Sequence, residues 1–217
     1  MPTDTDLVHY PCPACGSPLY GWTAAHDPLQ HGKKIVVDRC EVCRLGVTRA
    51  DDAPDAPAEI AASSTIAADG SFALEAANGA SWQGSLGGAQ WAGLEPELRR
   101  LHLSPDSARR LLAQQGVEVT EVTTPYSRGS YQQMRQTLIN AFTYRDNFLR
   151  NARAGLLPPS ETTRDRLLRR LDYVVSWLVW VPCAVVAWPL ERLGAALSRG
   201  GVLAVQGKAA PPARDSD

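Results

Sequence analysis

Four of the five cysteines in this 217-residue chain fall into two CxxC pairs. Cys12 and Cys15 lie in YPCPACGSPLY, and Cys40 and Cys43 lie in VDRCEVCRLGV. Two intervening residues let a tight turn aim both sulfurs of a pair at one point. Two such knuckles supply the closed four-sulfur shell of a structural zinc. The 24 residues between the pairs are rich in Gly, Pro and His, and they suffice for the short strands of a zinc ribbon. Four thiolates leave no open position for water, so the metal is expected to organise the fold and not to catalyse. The competing use of CxxC, a redox dithiol, needs a pair that opens a helix in a βαβ setting. Pro and Gly around both pairs argue against it. His9, His26 and His31 are near enough to replace a sulfur, but with four cysteines at hand they read as loop residues. The expected stoichiometry is about one zinc per chain.

The rest of the chain must fold around this unit. Residues 1–50 read as the ribbon. Residues 51–68, DDAPDAPAEIAASSTIAA, read as a flexible Pro-, Ala- and Ser-rich linker. A larger α/β region is expected over 69–209, and the tail at 210–217 is expected to be disordered. The composition, 44% apolar and 21% charged, suits a folded core. A net charge of −1 offers no global field for nucleic acid. Lys33, Lys34, Arg39, Arg44 and Arg49 are spread through the ribbon and read as solvated surface, so nucleic-acid docking is the weakest of the functions considered. The first ten residues have no basic segment and no apolar run, so no secretion signal is expected. Cysteines kept for a metal fit a reducing cytoplasm.

Several elements are legible. SFALEAANG, residues 71–79, alternates at Phe72 and Leu74 and ends at Asn78-Gly79, which predicts a strand and turn. Ser104, Pro105 and Asp106 mark a helix start, Ala108, Leu111 and Leu112 its buried face, and Gly116 its end. VEVTEV, residues 117–122, alternates as a strand, with Val117, Val119 and Val122 apolar. Residues 127–172 read as helical and highly charged. A last strand is expected at 202–207.

Residues 173–190, YVVSWLVWVPCAVVAWPL, are eighteen in a row without charge. As a helix they reach about 27 Å, just short of a hydrocarbon thickness of about 30 Å. Trp177, Trp180 and Trp188 suit a membrane interface, and Arg164, Arg166, Arg169 and Arg170 precede them on the side expected to stay cytoplasmic. Pro182 and Pro189 are expected to break the helix. The favoured reading is therefore a Pro-broken hairpin dipping into one leaflet, ahead of a buried or partner-facing helix and a true span. Cys183 reads as an inert buried thiol.

Taken together, residues 71–209 resemble the C-terminal half of class I S-adenosylmethionine-dependent methyltransferases. The likeness is carried by Glu75-Ala76-Ala77-Asn78, Ala80-Ser81-Trp82-Gln83, Leu86 to Trp91, Arg99 to His102, Ser104-Pro105, Gly116 to Val119 and the closing RGGVLAVQGKA. An N-terminal CPxCG…RCxxC module and an apolar helical insert before the last strand are also familiar in such enzymes. The resemblance implies an α+β chain: a zinc ribbon joined to a truncated Rossmann-like half. That half would have about three mixed strands, the last inserted antiparallel between the other two.

The family's cofactor cradle, a glycine-rich loop between a first strand and a helix, has no counterpart before Ser71. Close approach of backbone to ligand needs such glycines. Gly84, Gly87 and Gly88 follow the wrong element. The isolated chain is thus expected not to bind S-adenosylmethionine. Two roles follow: a membrane-associated accessory or binding protein, or the acceptor-side part of a methyltransferase that a partner chain completes. A missing half would also leave a sheet edge open to a partner or to a second copy. On the acceptor side the candidates are His102 as a general base, Asn78 and Tyr126. Glu75 and Asn78 also suit a simple strand turn, and a His between Leu101 and Leu103 also suits a packed position. Arg99 and Arg100 could meet a phosphate or only solvent. No Ser-His-Asp set, phosphate-binding P-loop or HExxH motif is present.

Overall fold

The computed structural model describes residues 10–26, 34–49, 63–67, 69–96, 99–157, 159–160 and 162–209. Lys33, His9, His31, the tail at 210–217 and most of the expected linker lie outside the described residues, as does the side chain of His26. The chain is α+β, with two four-stranded antiparallel sheets.

The first sheet carries the ribbon. β1 (Leu19–His26), β2 (Lys34–Cys40) and β3 (Gly46–Thr48) form an antiparallel meander. Its fourth strand comes from much later in the chain: β6 (Leu101–His102) pairs with β3. The sequence suggested a self-contained module over 1–50, yet the sheet is closed by residues that follow the supposed linker. Within that linker, Ser63–Ile66 is itself a strand, β4.

The second sheet has the order β4, β5 (Ser71–Ala77), β8 (Val202–Ala209), β7 (Val117–Thr123). The three strands anticipated in this region are present, and the last lies between the other two, antiparallel to both. The sheet is not mixed: every neighbouring pair is antiparallel, and β4, which was not expected, adds a fourth strand beside β5. A register shift between Val119 and Glu121 breaks the alternation of β7, leaving Val117 fully inside and Val119 and Val122 half-buried.

Helix α1 (Trp82–Gly87) starts on a Ser81 cap. Helix α2 (Pro105–Gln114) begins as its sequence predicts, with Pro105 in the first turn and Ser104 and Ser107 capping each other. The stretch expected to be continuously helical is divided into α3 (Arg128–Asn140), α4 (Phe148–Arg153) and the start of α5 (Thr163–Ala196). Asn147, at a φ of 54°, and Gly155, at 69°, bracket α4 in the left-handed region that ends helices.

Helix α5 departs most from expectation. Its 34 residues run unbroken through Pro182 and Pro189. Each proline removes one N–H from the ladder and leaves one carbonyl, that of Leu178 or Val185, without its helical donor; both residues are on the exposed side of the helix, while α3 packs along the other side. On that packed side Tyr131 Oη donates to the Ala184 carbonyl at 3.5 Å. By length and composition this is one helix able to cross a membrane, and only 17% of its apolar window is buried.

One hydrophobic core joins both halves. Cys12, Ala14, Leu19, Cys40, Cys43 and Leu45 of the ribbon belong to the same buried cluster as Phe72, Leu74, Leu111, Leu112, Leu203 and Val205. Burying each such aliphatic side chain contributes roughly 1.5–3 kcal/mol, so the ribbon is secured by packing as well as by its turns.

Candidate metal centre

Each knuckle is built by a backbone turn. The amides of Cys15 and Gly16 donate to the Cys12 carbonyl, and Arg44 N donates to that of Cys40. Both turns end on a left-handed residue: Gly16 at a φ of 74° and Arg44 at 60°. Glycine adopts that conformation freely, whereas arginine is strained in it. Neither pair opens a helix; both lie in turns.

The turns bring all four sulfurs within 4.8 Å of one another. Cys12 Sγ is 3.5 Å from Cys43 Sγ, Cys15 Sγ is 3.5 Å from Cys40 Sγ, and Cys15 Sγ is 3.7 Å from Cys43 Sγ. A tetrahedral zinc with Zn–S bonds of about 2.3 Å requires S···S edges of about 3.8 Å. The donor set therefore fits a metal such as zinc, and all four thiols are free of disulfides. Burial pushes the Cys12 and Cys43 thiols up, whereas the Ser17 hydroxyl beside Cys15 pulls it down to about 6. A dication would reverse the upward shifts by holding every sulfur as thiolate.

Helix α2 rests on the centre. Ser104 Oγ donates to the Cys43 carbonyl at 2.5 Å, and Gln114 Nε2 donates to the Ala14 carbonyl at 3.4 Å. The two cysteine knuckles thus lie at the joint between ribbon and main sheet.

The other candidate residues are not brought together. His102 is 3% exposed on β6, with Gly46 against its face. Burial, aided by Arg99, lowers its pKa to about 3. The void beside it is about 10 Å³, room for a single water. This is a packed imidazole that burial holds neutral. Asn78 is fully buried; its Nδ2 donates to the Gly200 carbonyl at 2.9 Å and its Oδ1 accepts from Ala80 N at 3.0 Å. Tyr126 is partly exposed under the Arg192 guanidinium, 4.8 Å from the ring centre. Arg99 pairs with Glu95 at 2.9 Å.

Two of the ribbon's cations are engaged within the protein. Arg39 lies 4.6 Å over the Trp22 ring and donates to the Gly79 carbonyl, and Arg49 makes a forked pair with Asp38. Cys183 is buried on the inner side of α5, where burial raises its pKa.

Two groupings carry no signal in the sequence motifs. Glu191 is 1% exposed within α5. Its Oε2 accepts from Gln83 Nε2 at 2.7 Å and its Oε1 from Gly201 N at 2.8 Å, while Gln83 also donates to the Ser130 carbonyl at 2.8 Å. This knot ties α1, α3, α5 and Gly201, the residue that leads into β8. A lone acid just after an apolar run is its only trace in the sequence. The second grouping is a cleft of about 290 Å³ where α3, α4 and α5 meet, lined by Arg135, Arg150 and Arg153. Its arginines are scattered along the chain and only tertiary packing gathers them.

No protein-family model, curated protein or solved structure matches this chain.

Proposed function

We propose that this chain is a zinc-ribbon accessory or binding protein that works at an anionic membrane surface, on the cytoplasmic side. The observation that carries this reading is the inverted polarity of α5. Its inward positions are small or polar: Asp172, Ser176, Cys183, Ala187, Glu191 and Gly194. Its outward positions are apolar: Leu167, Leu171, Val174, Leu178, Val181, Val185 and Trp188, with Leu178 76% and Val185 67% exposed. Steps of four and three residues keep these on one row about 32 Å long.

Arg164 and Arg192 continue that row at either end, and both are exposed. The acids of α5 are withdrawn, because Arg145 pairs with Asp165 and Asp172, and Glu191 is buried. An apolar row framed by cations complements anionic lipid. A second copy is a poorer fit, since either orientation of two such helices sets arginine beside arginine. A full span is disfavoured as well: it would carry the polar helix α3, with Gln132, Gln133 and Gln136, into hydrocarbon. Four free thiols suited to zinc agree with a reducing compartment.

The methyltransferase-like reading of residues 71–209 is retained here as ancestry. The order β5, β8, β7 with an antiparallel last strand agrees with it. Without a glycine cradle the chain is proposed not to bind S-adenosylmethionine alone. Completion by a partner chain is the weaker alternative, because the edge of β5 that such a partner would extend is taken by β4.

The test is co-sedimentation of the full chain with phosphatidylglycerol-containing vesicles. Binding is expected, with release by high salt or alkaline washing from native membranes. The Leu178→Asp/Val185→Asp double variant should lose about tenfold or more in affinity. Equal binding by that variant, or resistance to everything except detergent, refutes the reading. Calorimetry with S-adenosylmethionine should give no heat of binding.

A further inference from the structure

The cleft between α3, α4 and α5 has the chemistry of an anion site. Arg135 and Arg153 stack on neighbouring indoles of α5, 4.5 Å over the Trp180 ring and 5.3 Å over the Trp177 ring. Neither guanidinium has a carboxylate partner among the described residues. Arg150 pairs with Glu95 at 2.8 Å, but Glu95 also serves Arg99. Among the described residues the three guanidinia of the lining face one carboxylate, Glu95, which is shared with Arg99, so the cleft holds a local excess of about two positive charges in a protein whose net charge is −1. Gln132 and Gln136 add amide groups to the lining. Two polar atoms in the wall, Trp180 Nε1 and Gln133 Oε1, are buried without a hydrogen-bond partner. Such orphaned atoms are uncommon: Trp180 Nε1 is a donor that a ligand oxygen would satisfy, whereas Gln133 Oε1 is an acceptor that would need its amide turned over or a ligand hydroxyl.

From this geometry we infer that the cleft binds a phosphate monoester, in the first instance the headgroup of an anionic amphiphile. Stacked arginines present a planar fork that matches phosphate oxygens in pairs. A monoester carries about −1.5 to −2 charges at neutral pH, which the local excess neutralises. A cleft of about 290 Å³ accommodates a phosphate with a few attached carbons and not a whole lipid. Trp177 and Trp180 lie one turn apart on α5, and helical spacing sets them beside the row of Val174, Leu178, Val181 and Val185. A headgroup in the cleft would therefore leave its acyl chains on the apolar face of the same helix. The lipid-borne form of the ligand rests on the membrane reading above; the phosphate site itself does not.

The experiment uses the full zinc-loaded chain and three soluble probes in calorimetry: inorganic phosphate, glycerol 3-phosphate and dihexanoyl phosphatidic acid below its micellar concentration. Binding of all three, with the short-chain lipid tightest, is expected. Preference for glycerol 3-phosphate over the lipid would assign the site to a free phosphate ester and overturn the amphiphile assignment. Arg135→Gln and Arg153→Gln should each weaken binding about tenfold or more. Arg135→Lys and Arg153→Lys keep the charge and guard against misfolding, and they too should weaken binding through loss of the fork. Urea midpoints of all variants report whether each is folded.

Leu178→Asp/Val185→Asp should weaken vesicle binding about tenfold or more yet leave glycerol 3-phosphate affinity unchanged. Failure of the membrane reading would thus show in vesicles alone. Absence of any phosphate binding by the wild-type chain, or unchanged affinity in folded Arg135→Gln and Arg153→Gln variants, overturns the site.

Discussion

Replacing His102 by Phe should remove one source of acid sensitivity from the fold, so that the variant is the less stable protein near neutral pH and the more stable one in acid. In the wild-type chain Thr48 Oγ1 donates to the Arg99 carbonyl at 2.8 Å, so it is left to accept from His102 Nε2 at 3.2 Å. The imidazole is neutral, with its proton on Nε2. Burial first, and the Arg99 cation second, lower its pKa from 6.5 to about 3. The unfolded chain regains the ordinary value. Between these two pKa values the unfolded state holds a proton that the folded state does not. Stability is therefore full above about pH 6.5 and falls by about 1.4 kcal/mol for each unit of acidification toward pH 3. By about pH 4.5 the loss from this one residue is on the order of 2–3 kcal/mol.

The Phe variant fills similar space and cannot titrate, but it forfeits a hydrogen bond of about 1 kcal/mol. It should be less stable than wild type by about 1 kcal/mol near pH 7.5 and more stable by about 1–2 kcal/mol near pH 4.5. Urea unfolding followed by circular dichroism across that range reads the difference. The cysteine centre is common to both proteins, so its own pH dependence cancels at equal zinc. His102→Gln provides a second non-titrating variant should Phe fit badly against Gly46. A stability difference that stays constant with pH in both variants would refute the assignment of His102 as a buried neutral residue.

Three further outcomes follow from the packing. Cys12→Ser should reduce bound metal, read by atomic emission, from about one per chain to well below it and should lower stability by several kcal/mol; the loss should be felt at α2 as well as in the ribbon, because Ser104 and Gln114 bond to the knuckles. Glu191→Ala leaves the buried donors of Gln83 and Gly201 unanswered and should cost about 3–5 kcal/mol in denaturant unfolding, whereas a cost under about 1 kcal/mol would show that the knot is dispensable. Gly207→Ala would bring a Cβ to 2.6 Å from the Glu118 carbonyl oxygen, so β7 and β8 must separate and the thermal midpoint should fall by several degrees, consistent with about 1–3 kcal/mol.

Local chemistry was legible in the sequence wherever short-range rules govern. The CxxC spacing identifies four sulfurs that do converge, because a knuckle is closed by bonds within five residues. Ser104, Pro105 and Gly116 bound α2 correctly, since a capping box and a left-handed stop are both local. Alternation over 71–79 and 117–122 marked the strands found at Ser71–Ala77 and Val117–Thr123, and the strand expected at 202–207 is found at Val202–Ala209. Helix continuity through Pro182 and Pro189 was not legible. A proline's cost is local, whereas the packing of α3 that offsets it comes from residues some fifty positions away.

Residue types and spacing alone determined that this chain carries a four-cysteine site, an α+β succession of elements and one apolar stretch without charges. Tertiary structure decided what those features serve. It closed the ribbon with Leu101–His102 and turned His102 from an acid–base candidate into a packed imidazole. It drew Asp172, Ser176 and Glu191 to the inside of α5 while leaving Leu178 and Val185 outside. It also gathered Arg135, Arg150 and Arg153 around one cleft. Hydropathy records how apolar a segment is, but which side of a helix meets protein depends on what packs against it, and those contacts join residues far apart in the chain.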